Sequence, residues 1–218
     1  MRGCAARGSW PGGCSRAWTG DSERLADFRV ISDVSRTLER LLNQPLVPLG
    51  AGAQLHDLGT PVANNPPVLT IFLYEVSEDA ASRNRLDRRR VVAPDAIEVT
   101  RAPMALLLKY LITPWSGDAA TDHRILGRAM QVLYDNAIIA GAQLLGVLAP
   151  SGDSLKVSIT PLSMEERTRV WYAVQRTYRL SAAYEVRVVN LDSQRVRTQP
   201  PVIEQSRVSG LRRPQVQP

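Results

Sequence analysis

Only two histidines occur in the chain, His56 and His123, separated by 66 residues with no cysteine between them. A zinc site needs several convergent donors, so neither is read as a metal ligand. Asp118 and Asp122 precede an apolar helical stripe. There a carboxylate meets the unpaired amides of a helix start, which explains these residues better than acid–base work. Gly-x-Ser-x-Gly, phosphate-loop and dinucleotide signatures do not occur, and Gly50-Ala-Gly52, with no helix signal after it, reads as a turn. Cys4 and Cys14 both lie in the Gly/Arg/Trp-rich first twenty residues, which offers neither a disulfide framework nor a thiolate metal site. No catalytic, cofactor-binding or metal residue is therefore assigned, and no cofactor is expected.

The residues that do carry chemistry form a charge run, Ser82-Arg-Asn-Arg-Leu-Asp-Arg-Arg-Arg90. Arg83, Arg85, Arg88, Arg89 and Arg90 are candidate partner contacts, because guanidinium forks bind carboxylates bidentately. The run also reads as a solvated loop, since blocks of like charge repel. Arg83 and Asn84 have a third reading, tying the exit of the run back to the fold. Nucleic acid is not the expected partner: no aromatic residues interleave the arginines to stack bases, and no recognition helix follows.

Charge distribution narrows the function classes further. The 218 residues carry a formal net charge of +6, with a pI near 9.8. Residues 83–90 hold five Arg against Asp87, and residues 195–213 hold five Arg against Glu204. The first 24 residues are net +2, which leaves the rest of the chain at net −4. The folded body is thus mildly acidic and its extensions basic. No run approaches the roughly 18 apolar residues of a membrane span, and no apolar secretory core stands at the N-terminus, so cytoplasmic synthesis without membrane insertion is expected.

The elements that must position the run are read from periodicity. Val68–Val76 is β-branched and aromatic nearly throughout, with apolar residues on both faces, and predicts a strand inside a sheet. Leu25–Asn43 has a three-four apolar spacing and predicts an amphipathic helix ended by Pro45 and Pro48. A short strand is possible near Gln54–Leu58. Residues 77–103 predict a long arm with an exposed hairpin strand at Ala96–Arg101, and Met104–Ile112 predicts a strand antiparallel to the first. Asp118–Ile139 predicts a helix capped by Thr121 with a stripe of Ile125, Leu126, Met130, Leu133 and Tyr134. Leu155–Ile159 alternates as a half-exposed strand. Ser163 and Glu166 form a capping box for a helix presenting Val170, Trp171 and Val174. Trp115 and Trp171 are read as packing residues. Ala182–Asn190, with Tyr184, Val186 and Val188 alternating, predicts the last strand. The sum is an α+β single domain, a mixed and mainly antiparallel sheet with flanking helices and a long arm between two central strands. Residues 1–24 are read as a disordered leader or mis-assigned start, 25–194 as the domain, and 195–218 as a flexible basic tail.

Four segments in order resemble one family, the tail-terminator or cap proteins of extracellular contractile injection systems, the phage-tail-like particles. They are Ile71-Phe-Leu-Tyr-Glu-Val76 with Arg83-Asn84 after it, Leu107-Leu-Lys-Tyr-Leu-Ile-Thr-Pro-Trp115, Asp122-His-Arg-Ile-Leu-Gly127, and Tyr178-Arg-Leu-Ser-Ala-Ala-Tyr184. The similarity runs from about Leu25 to Asp192. It implies a non-enzymatic assembly protein forming a six-fold ring on the distal end of the inner tube and sheath, ending their growth and holding the sheath extended. Implied partners are other copies of the chain and the tube and sheath subunits, whose carboxylates the arm arginines would meet. The place implied is the cytoplasm, then a particle that can be released from the cell. Unlike longer members, the chain is expected to carry no folded addition after residue 194. The alternative reading from the residues is a basic nucleic-acid-binding or regulatory protein.

Overall fold

The computed structural model describes residues 28–149 and 152–200. The expected leader and most of the expected basic tail lie outside the described residues.

Alternating apolar residues build a six-stranded sheet in the order β1 (Gly52–Leu55), β2 (Val68–Glu78), β5 (Met104–Trp115), β8 (Ala182–Leu191), β7 (Ser154–Ile159) and β6 (Ile138–Ala140). Only β1 and β2 run parallel; every other pair is antiparallel. β5 follows β2 residue for residue from Val68, opposite Trp115, to Leu73, opposite Tyr110; a bulge at Tyr74 then shifts the register so that Glu75 opposes Lys109. The strand therefore continues through Thr113-Pro114-Trp115, which the sequence reading took as its stop.

Both faces of this sheet are covered, as the two-sided apolar pattern of β2 requires. On one face Leu69, Ile71, Leu108, Tyr110 and Val186 pack beneath α1 (Val30–Leu46) and α2 (Ala119–Asp135). On the other, Leu111 and Ala183 meet Leu58 and Trp171 of α3 (Met164–Ala173), with Phe72, Tyr74 and Trp115 at the margin. Ser163 caps α3 through its hydroxyl to the Glu166 amide (3.2 Å), and the Glu166 carboxylate accepts from the Ser163 amide (2.7 Å), the expected capping box. Those bonds hold the Glu166 carboxyl below its usual range.

Several boundaries differ from expectation, each for a local reason. Asp118, not Thr121, caps α2, accepting the Thr121 amide at 2.8 Å, and its hydrogen bonds with Thr121 lower its carboxyl pKa. The buried stripe of α2 is accordingly Ile125, Leu126, Ala129, Val132 and Leu133, while Met130 and Tyr134 (84% exposed) face outward. Asn136 ends the helix by donating its amide and side chain to the Val132 carbonyl, so Ile138 and Ile139 fall in β6. β8 carries an irregularity: Leu108 opposes Val186 but Leu106 opposes Val189. The extra residue turns Val189 onto the core face with Tyr184 and Val186; the side chain of Val188, expected there, lies outside what is described. α1 keeps Pro45 within its last turn and ends at Leu46.

A second sheet stands apart from the first: β3 (Arg88–Ala93), β4 (Ala96–Thr100) and β9 (Val196–Gln199), in that order and antiparallel. It is the expected arm. Two of its strands were not expected, since β3 begins with three arginines and β9 lies in the segment read as a flexible tail.

Candidate assembly interface

The arm is tied at its base and free beyond it. As β2 ends, the Asp79 amide donates to the Ala105 carbonyl (2.8 Å), and the Asp79 carboxylate accepts the Ala81 amide (3.1 Å), turning the chain out of the sheet. Arg83 pairs with Glu78 at 3.3 Å. Arg85 donates to the Asn190 side-chain oxygen at 2.9 Å, and Arg88 lies 3.7 Å from Asp192. Asp87 accepts the Ala102 amide at 3.1 Å, closing the hairpin at its root. Three of the five candidate arginines thus hold the arm to the end of β8 or to the end of β2, the tethering role read for Arg83. The Arg89 and Arg90 side chains are exposed and have no ion pair or hydrogen bond among the described residues.

Beyond that root no helix among the described residues covers the three strands. Leu86 is 91% exposed and Val91 72%, and every residue of β9 is exposed. Cross-strand register puts Arg89, Val99 and Arg197 in one row and Val91, Ile97 and Gln199 in the next. An apolar stripe flanked by guanidinium groups results.

Elsewhere the residues with chemical potential are consumed by structure. Arg179 donates to Asp122 at 2.8 Å and lies over the Trp115 ring, 4.4 Å from its centroid. Ser116 donates to the other Asp122 oxygen at 2.7 Å. Trp115 meets Trp171 edge-on at 6.4 Å and donates to the Thr70 hydroxyl at 2.9 Å. His56 accepts the Leu58 amide on Nδ1 at 2.8 Å within a turn, and His123 is exposed on α2. Among the described residues no group of His, Cys, Asp and Glu is arranged to hold a metal ion. Lys109 pairs with Glu75 at 2.8 Å. Nearby, burial first and then Glu75, Glu166 and Glu185 push the Tyr74 hydroxyl up to about 12. The Tyr110 hydroxyl, bonded to Ser35 at 2.9 Å, is raised further by burial.

The Trp115, Asp122 and Arg179 contacts had a signal in the sequence. Each residue comes from a different segment of the family-like pattern, and the fold brings the three together at one end of the sheet. Sequence reasoning named Trp115 and Asp122 but not Arg179, because only the fold shows which cation reaches them.

An α+β body whose main sheet is covered on both faces, holding out a basic three-stranded sheet, is the class of fold. The family follows from comparison. Residues 33–205 match the model of the Pvc16 N-terminal domain, and the chain belongs to that family. Among solved structures it is similar to the sheath/tube terminator of an extracellular contractile injection system, PVC, in its extended state: 20% identity, TM-score 0.57, covering 85% of this chain and 65% of that one. It is likewise similar to the tube-terminating cap of the anti-feeding prophage, AFP: 20% identity, TM-score 0.58, covering 86% of this chain and 62% of that one. The chain therefore spans just under two thirds of either terminator. No match was found among curated proteins.

Proposed function

We propose that this chain is the terminator subunit of a contractile injection particle, a structural protein that forms a closed six-membered ring on the distal end of the tube and sheath. The observation that carries the reading is the Pvc16 N-terminal domain match over residues 33–205, joined by a fold shared with two terminators. In the proposed role the double-covered sheet is the rigid wall of the ring. The arm is its contact device, with Arg89 and Arg90 available for acidic partners. The chain performs no catalysis in this role and binds tube and sheath subunits by surface complementarity. Cytoplasmic assembly, followed by residence in a released particle, goes with it.

Removing the protein from a producing cell tests this directly. Particles assembled without it should show unregulated tube and sheath lengths in electron micrographs, with sheaths found contracted or detached. Particles of normal length and extended sheath would contradict the proposal. Replacing Arg88, Arg89 and Arg90 together by Ala should leave the body folded yet lower incorporation into particles. Normal incorporation of that variant would rule out the arm as a contact.

A further inference from the structure

Among the described residues the outer edges of β3, β6 and β9 and the Phe72–Glu78 stretch of β2 have no strand beside them, and two of these, β2 and β3, differ in sign. β5 pairs with β2 from Val68 to Glu78, but on the opposite side β1 pairs only from Val68 to Ile71. The His56 amide adds one last bond to the Ile71 carbonyl at 3.2 Å. From Phe72 to Glu78 no strand among the described residues lies along that edge. The outer edge of β1 is closed by helix side chains: Asn43 bonds both the amide and carbonyl of Ala53 (2.9 and 3.0 Å), and Glu39 accepts the Leu55 amide (3.2 Å). Nothing comparable closes β2. Where β1 leaves, a groove of about 300 Å³ opens, lined by Leu55, Ile71, Phe72 and Leu73 over Tyr110.

The second open edge belongs to β3, which pairs only with β4. It reads Arg88-Arg-Arg-Val-Val-Ala93, against Phe72-Leu-Tyr-Glu-Val-Ser-Glu78 on β2. Two β3 edges meeting would set arginine against arginine, and two β2 edges glutamate against glutamate. β3 laid on β2 brings Arg89 and Arg90 toward Glu75 and Glu78, which stay partly exposed beside their own-chain partners Lys109 and Arg83, with exposed Val91 and Val92 near Val76, itself 46% exposed. The chain cannot make this pairing with itself. Arg85 and Arg88 hold the root of β3 at Asn190 and Asp192, at the end of β8, which lies on the far side of β5 from the open edge.

The geometry points to strand addition between copies of this chain: β3 of one subunit extends the sheet of the next along Phe72–Glu78. Such a contact is head-to-tail, and head-to-tail contacts close into rings. The inference rests on the ring reading above and deepens it by naming a second copy as the partner of the arm.

Two variants test it, each judged for folding by far-UV circular dichroism and a melting midpoint close to that of the parent. Arg89→Glu with Arg90→Glu makes the arm acidic, and Glu75→Lys with Val76→Lys makes the edge basic while leaving the Arg83–Glu78 root pair in place. Each alone should weaken self-association by about a hundredfold, read as loss of the ring by light scattering. An equimolar mixture should recover the ring, because every contact again joins opposite signs, and amides of residues 72–78 should regain exchange protection with it. If the parent forms a ring and both folded variants keep it, or their mixture fails to restore it, strand addition is overturned while the ring stands. If the parent forms no ring, the underlying reading falls instead.

Discussion

The chain folds two sheets from similar material and treats them differently. In the six-stranded sheet, Leu69, Ile71 and Leu108 are buried between helices on both sides. In the three-stranded one, Val91, Val92 and Val196 stand in solvent although they too are apolar. Strands are laddered in both, so strand formation by itself does not decide burial; the layer above the sheet does. The body has α1, α2 and α3 for that purpose. The arm has only its root contacts, through Arg83, Arg85, Arg88 and Asp87. One sheet is covered on both faces, and the other stands exposed beyond its root.

Substitutions in the two regions should separate accordingly. The largest effect belongs to Trp171→Ala, which removes the centre of the α3 face and should cost about 4 kcal/mol by urea denaturation. A change below about 1 kcal/mol there would show that the second face is not a core. Next comes Gly146→Ala. Gly146 has φ +58°, and a Cβ would run into the Asp33 carboxylate, which accepts the Val147 amide at 3.0 Å. A loss of about 2 kcal/mol is expected. Arg179→Ala should lose about 1 to 2 kcal/mol by unpairing Asp122 and uncovering Trp115, and Arg179→Lys should recover less than half of it, because an ammonium cannot both fork and stack. Full recovery by lysine would reduce the contact to simple charge. Ser163→Ala should cost about 1 kcal/mol through the capping box. Smallest is Val91→Thr on the arm, expected within about 0.5 kcal/mol of the parent. A large loss there would mean that the arm is already packed.

Alkaline titration sharpens the same contrast. Tyr74 has its folded-state pKa raised above the unfolded value, so the folded form retains the proton longer. Stability from this group is present below about pH 10 and declines as pH rises toward about 12. Tyr74→Phe should flatten that part of the stability profile, and an unchanged profile would contradict the assignment.

How much of this could be read in the sequence follows the same division. β2, β5, α1 and the capping box of α3 were legible, because buried alternation, a three-four stripe and Ser-x-x-Glu are local signals with strong physical causes. The cap of α2 was missed by three residues, since Asp118 and Thr121 are both good N-caps and only the buried positions Ala129 and Val132 fix the register. β3 and β9 were not legible: Arg-Arg-Arg and Val-Arg-Thr-Gln carry little strand preference, and main-chain pairing with β4 alone makes them strands. The arm arginines were recognised as a group. Their division into three root contacts and two free side chains depends on Asn190, Asp192 and Glu78, which are distant in sequence or ordinary in it.

The central claim is most directly tested by the mass of the purified protein in solution. Size exclusion with light scattering at moderate and high salt, with the 260 to 280 nm absorbance ratio read on the same peak, measures it. The account predicts a salt-resistant species near six times 24.0 kDa, free of nucleic acid. A monomer at both salts, or a nucleic-acid complex that dissociates as salt rises, would contradict it.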